Sequence, residues 1–126
     1  MRNILITGAN SGIGLETVKQ LSNGNNILAI SRNINNIPNI NSVIIKQCDV
    51  TNYQQINNIV EDFNNQFGEI DVLINNAAID AKFDKSANAI NNSTRFENFP
   101  IDLLQKSFDV NVKGLVQITQ LVIKQM

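Results

Sequence analysis

The run Thr7-Gly8-Ala9-Asn10-Ser11-Gly12-Ile13-Gly14 stands directly behind the apolar segment Ile4-Leu5-Ile6. Three glycines between the exit of a buried strand and the entry of a helix let the backbone turn sharply. They also keep side chains away from the point where an anion would approach. The helix start then offers unpaired N–H groups and roughly half a positive charge. Such a corner suits a diphosphate. A plain glycine-rich turn is the simpler alternative, and the strand before and the helix after favour the diphosphate.

The rest of the chain repeats the strand–helix alternation. Asn3–Thr7 reads as a buried parallel strand. A helix is predicted from Gly12 to about Ser22, closed by Asn23-Gly24. Strands are predicted at Asn26–Ser31, Val43–Cys48 and Asp71–Asn75, and the stretch 33–41 reads as a loop with weak helical signal. Thr51-Asn52-Tyr53-Gln54 fits a capping box with Thr51 at the N-cap. The helix behind it carries Ile56, Ile59, Val60, Phe63 and Phe67 on one stripe and stops at Gly68. Residues 79–98 are polar and irregular, and Pro100 suits the first turn of a last helix. On that helix Ile101, Leu104, Phe108, Leu115, Ile118 and Val122 form the stripe expected to be buried, with Asn111 in its middle. An unpaired buried amide costs roughly 1–3 kcal/mol, so Asn111 should have partners. The pattern implies an α/β fold with a parallel sheet.

Composition removes several functions. The chain has 126 residues and a formal net charge of -1, which gives no electrostatic case for nucleic acid or an anionic membrane. There is no histidine and one cysteine, Cys48, so neither a His-based triad, an internal disulfide nor an ordinary zinc site is expected, and no metal is assigned. Cys48 reads as a buried thiol. The opening apolar strand is too short for a signal peptide or membrane span, so a cytoplasmic location is expected. Asparagine occurs 22 times, spread through the predicted helices as well as the loops, and so does not mark a disordered tract.

The spacing Thr-Gly-x-x-x-Gly-x-Gly, with Asn75-Asn76-Ala77-Ala78 after the fourth strand and Asn111 within Phe108–Gly114, resembles the short-chain dehydrogenase/reductase family. The resemblance implies a Rossmann-type doubly wound parallel sheet, truncated here after about four strands. Residues 1–126 would be one NAD(P)-binding domain without its catalytic half. Gly8 would permit the turn, Gly12 the approach of the diphosphate and Gly14 close packing of the helix on the sheet. Asn10, Ser11 and Ile13 would complete the phosphate corner. Ser31-Arg32 closes the second strand with no acid nearby, which favours NADP(H) over NAD(H). Asp49 would bond the adenine amino group, with Val50 against the ring, although Asp49 also suits the dipole of the next helix. Asn76, Ala77 and Ala78 would lie along the cofactor. Ala78 replaces the family's glycine and puts in doubt a backbone conformation that glycine favours. Asn111 would hold a water in the proton relay, or simply specify the helix as a core polar residue.

The family's Ser and Tyr-x-x-x-Lys elements are absent. The only tyrosine, Tyr53, is followed four residues later by Asn57. The expectation is therefore a chain inactive by itself, from a family that moves hydride between a nicotinamide and a small carbonyl or alcohol. A non-catalytic nucleotide-binding or interaction module and one half of a split enzyme are the alternatives. A homodimer through the C-terminal helix would cover apolar surface that the truncation exposes.

Overall fold

A computed structural model describes residues 1–80 and 96–126. Four strands form one parallel sheet in the order β3-β2-β1-β4: β1 Asn3–Thr7, β2 Asn26–Ser31, β3 Val43–Gln47 and β4 Val72–Ile74. The helices are α1 Gly12–Leu21, α2 Tyr53–Phe67, α3 Ile101–Phe108 and α4 Leu115–Ile123. A six-residue π-helical segment, Asp109–Gly114, joins α3 to α4, and Phe96–Asn98 forms a 3-10 turn. Of the irregular stretch expected at 79–98, residues 81–95 lie outside the described part.

The strands alternate strictly, as a sheet covered on both faces requires. Ile4, Ile6, Ile27, Ala29 and Val43 face α1 and Val18. Leu5, Leu28 and Ile30 face Ile56, Val60 and Phe63 of α2 and Ile118 and Val122 of α4. This is the doubly wound arrangement. No helix joins β2 to β3. Instead Ile34, Ile37 and Ile40 of the connecting loop pack onto the α1-side core, with Ile37 buried.

Several local expectations need correction. Cys48 lies one residue beyond β3, though its N–H still reaches the Ser31 carbonyl at 3.0 Å. The N-cap of α2 is Asn52, not Thr51: Asn52 Oδ1 accepts from the Gln55 N–H at 3.1 Å. Thr51 is diverted because its N–H and hydroxyl both donate to Asp49. Pro100 is the N-cap of α3 and stands just outside the helix.

The largest correction concerns the C-terminal stripe. Ile118 and Val122 are buried, but Ile101, Leu104, Phe108 and Leu115 are exposed, Ile101 by 73%. The inward residues are Val110, Gly114, Ile118, Leu121 and Val122, one residue earlier than expected at Val110 and Gly114 and coincident with the expected stripe at Ile118 and Val122. Gly114 is part of this inward face. A Cβ there would lie 3.0 Å from Val50 Cγ2 and 3.2 Å from the Val50 carbonyl oxygen, so a larger residue would need the segment after β3 to give by a few tenths of an ångström. The Phe108 line is turned outward.

Candidate functional site

The carboxyl ends of β1, β2, β3 and β4 surround a crevice of about 340 Å³. In an open α/β sheet this edge, where the strand order reverses, is where ligands bind. Its lining contains Gly8, Asn10, Ser11, Ile13, Ser31, Arg32, Asp49, Val50, Asn76, Ala77 and Ala78, while Gly12, Gly14 and Asn111 stand beside it rather than in it.

The three glycines do different things. Gly8 has φ +65°, and a Cβ on it would sit 2.8 Å from Ala77 Cα. Gly14 is confined further: its Cβ would meet the Gly8 carbonyl oxygen at 2.2 Å and Asn76 Nδ2 at 2.4 Å. So Gly14 packs the helix start on the turn and on the end of β4. Gly12, at φ +51°, would place a Cβ in open space with nothing within 4 Å. Only this glycine is spared contact with protein, and it opens α1. The first-turn N–H groups of α1 have no intrahelical acceptor. The N-cap residue Ser11, fully extended at φ -151°, leaves its hydroxyl off the helix and exposed at the crevice. Ile13, 79% exposed, extends an apolar side chain at the same mouth.

Thr7 is a hub that the sequence reading passed over. It is 1% exposed, and its hydroxyl oxygen accepts the N–H groups of Asn76 (3.1 Å) and Ala77 (3.0 Å). Asn76 Nδ2 in turn donates to the Gly8 carbonyl at 3.0 Å. The ends of β1 and β4 are thereby one unit. The available signal was a hydroxyl residue closing an otherwise apolar strand. Asn76 itself acts as this tie, while Ala77 and Ala78 present small side chains to the crevice. No non-glycine residue among those described has positive φ, so Ala78 adopts no glycine-like conformation.

Asn10 lines the crevice, and it also ties down a neighbouring loop. Its Oδ1 accepts the Asn36 N–H at 2.8 Å, and its carbonyl accepts Asn36 Nδ2 at 3.2 Å. The side-chain oxygen is engaged in holding the loop after β2.

At the other wall, Asp49 Oδ1 takes both the Thr51 N–H (2.9 Å) and the Thr51 hydroxyl (2.7 Å). Partial burial works to raise the carboxyl's pKa, but the two Thr51 bonds and the Arg32 guanidinium outweigh it and hold it below the ordinary carboxylate value. Asp49 is therefore a fixed anion beside the crevice. Burial, and then the Asp49 charge, push the Cys48 thiol up to about 11, so Cys48 stays protonated and unreactive at neutral pH. Val50 is buried against Gly114 while still lining the crevice.

Asn111 lies in the π-helical segment, a feature frequently found at functional sites. Both ends of its amide meet one residue: Oδ1 accepts the Ile79 N–H at 2.9 Å, and Nδ2 donates to the Ile79 carbonyl at 3.0 Å, which leaves one acceptor site and one donor over. The partners expected for this amide are thus the strand-like backbone that follows Asn76-Ala77-Ala78. Ile79 lines the crevice. Tyr53 opens α2 and borders a separate surface groove with Gln117 and Lys124. Among the described residues no trio of His, Cys, Asp or Glu could hold a metal, and no helix is long and apolar enough to cross a membrane.

The chain is 37% identical over 120 residues to an uncharacterised oxidoreductase of Staphylococcus saprophyticus, a match spanning 90% of this chain and 44% of that protein. Among solved structures, the KRED1-Pglu enzyme superposes with a TM-score of 0.81 at 22% identity, covering 100% of this chain and 52% of the other. A 4-hydroxyisoleucine dehydrogenase complexed with NADH superposes at 0.77 with 26% identity, covering 98% and 49%. The chain thus spans about half the length of the proteins it matches. The family model for short chain dehydrogenase matches residues 2–126. With its glycine corner, its β3-β2-β1-β4 sheet and its crevice at the strand ends, the chain belongs to the short-chain dehydrogenase family.

Proposed function

We propose that these residues form the NADP(H)-binding part of a short-chain dehydrogenase/reductase. The observation that carries this is Gly12: the one glycine of the corner whose missing Cβ faces open space is the one at the unpaired N–H groups of a helix start. The diphosphate would lie there, against Gly8, Ser11, Ile13 and the small Ala77 and Ala78. Asp49 and Val50 would receive the adenine, and Ser31 and Arg32 the adenosine ribose. Arg32 suits a 2′-phosphate, and no acid competes for a 2′-hydroxyl, so NADP(H) is preferred to NAD(H).

When bound, the nicotinamide would supply the hydride exchanged with a small carbonyl or alcohol. The chain's own residues position and shield it. Asn111 would hold the Ile79 backbone at the crevice, and by resemblance it would order a relay water. The crevice lining contains no tyrosine or lysine among the described residues, and Tyr53 faces another groove. These residues alone would then bind cofactor without turnover. We place the protein in the cytoplasm. The exposed Ile101, Leu104, Phe108 and Leu115 would pair with the same face of a second copy.

Titration with NADPH and NADH, followed by cofactor fluorescence, tests the reading. Saturable binding with NADPH tighter, and no steady oxidation of NADPH with carbonyl substrates, is expected. Binding of neither dinucleotide would reject it, and turnover by these residues alone would reject the inactive part.

A further inference from the structure

The loop after β2 is tied down at two points, its start and its middle. At its start, Gln47 Nε2 donates to the Arg32 carbonyl at 2.8 Å. The Gln47 carbonyl accepts Gln55 Nε2 at 3.2 Å, and the Gln55 N–H is held by the N-cap Asn52, so the first turn of α2 backs this tie. Near its middle, Asn36 makes its two bonds to Asn10, beside the buried Ile37. Arg32 makes no salt bridge within 4.0 Å among the described residues, though its charge acts on the nearby Asp49. Its side chain borders both the main crevice and a smaller hollow lined by Gln47, Asp49 and Gln55. A long cationic side chain loses much rotamer freedom on meeting a phosphate. A backbone root that is already fixed spares the further cost of ordering the loop.

We propose that Gln47 and the Asn10–Asn36 clamp are positioning residues that fix the root of Arg32 for a 2′-phosphate, and so set the preference for NADPH over NADH. This rests on the cofactor reading above. Neither Gln47 nor Asn36 need touch the cofactor.

The test is a parallel NADPH and NADH titration of the full chain in four forms: wild type, Arg32→Ala, Gln47→Met and Asn36→Ala. Gln47→Met keeps the side-chain length and removes the donor. Arg32→Ala should weaken NADPH about tenfold, since a charge-assisted contact is lost. Gln47→Met and Asn36→Ala should each weaken NADPH about fivefold, the scale of one or two hydrogen bonds. NADH affinity should stay within about twofold throughout. Unfolding midpoints are taken alongside, and Gln47→Met, on the exposed edge of β3, decides the matter if Asn36→Ala fails to fold. An unchanged NADPH:NADH ratio in Gln47→Met, or equal losses for both dinucleotides, overturns the proposal while the cofactor reading stands. An unchanged ratio in Arg32→Ala, or no binding by the wild type, removes both.

Discussion

The corner from Thr7 to Gly14 and the C-terminal run from Ile101 to Ile123 are both patterned clearly in sequence, yet only the corner folds as its pattern implies. In the corner each residue is constrained by its immediate neighbours: positive φ at Gly8 and Gly12, and a carbonyl 2.2 Å from any Gly14 Cβ. Along the C-terminal run, two apolar lines lie one residue apart, and the buried one packs Gly114 closely on the distant Val50. Local stereochemistry is legible from spacing. A choice between two apolar faces is settled by packing.

Substitutions in the two regions should differ accordingly. Gly14→Ala should be the most damaging, costing about 3 kcal/mol in denaturant unfolding, because the Gly8 backbone and the Asn76 side chain must both move. On α4, Ile118→Ala should cost about 2–5 kcal/mol as a core cavity. Phe108→Gln, on the line that spacing had assigned to the core, should stay within about 0.5 kcal/mol at dilutions where the chain is a monomer. Equal losses for Ile118→Ala and Phe108→Gln would mean the other face is buried. Asn111→Ala should cost about 1–3 kcal/mol, since the N–H and carbonyl of Ile79 lose their partners.

The smallest expected effect is on pH dependence. Cys48 has a folded pKa near 11 against an ordinary 9.0, so its contribution is intact below 9.0 and lost as the pH rises toward 11. Cys48→Ala should flatten the fall in stability across that window. For Asp49 the sign is reversed: its folded value lies below the ordinary 3.8, so its contribution is present above that pH and lost as the pH falls through the lower folded value. Thermal melts of Asp49→Asn against wild type at acid pH would show a shallower acid limb.

The elements most legible in sequence were those ruled by short-range chemistry: the four strands with their alternating faces, the glycine corner, and the stop at Gly68, where φ is +92°. The crevice residues were legible because strand ends and motifs coincide. What escaped was the work of the asparagines, which composition alone makes look featureless. Asn10, Asn52, Asn76 and Asn111 each tie backbone from another part of the chain or cap a helix. Such bonds depend on which segments meet in space, and no spacing rule encodes that. The π-helical segment escaped for the same reason, since a helical period continues through it unbroken in the sequence.

A titration of wild type and Gly12→Val with NADPH, with unfolding midpoints measured on the same samples, puts the glycine corner to the test. The open space around the Gly12 position predicts that Gly12→Val stays folded, apart from the strain of its positive φ, yet loses saturable NADPH binding. Gly12→Val binding NADPH as tightly as wild type would contradict a diphosphate seated at the start of α1.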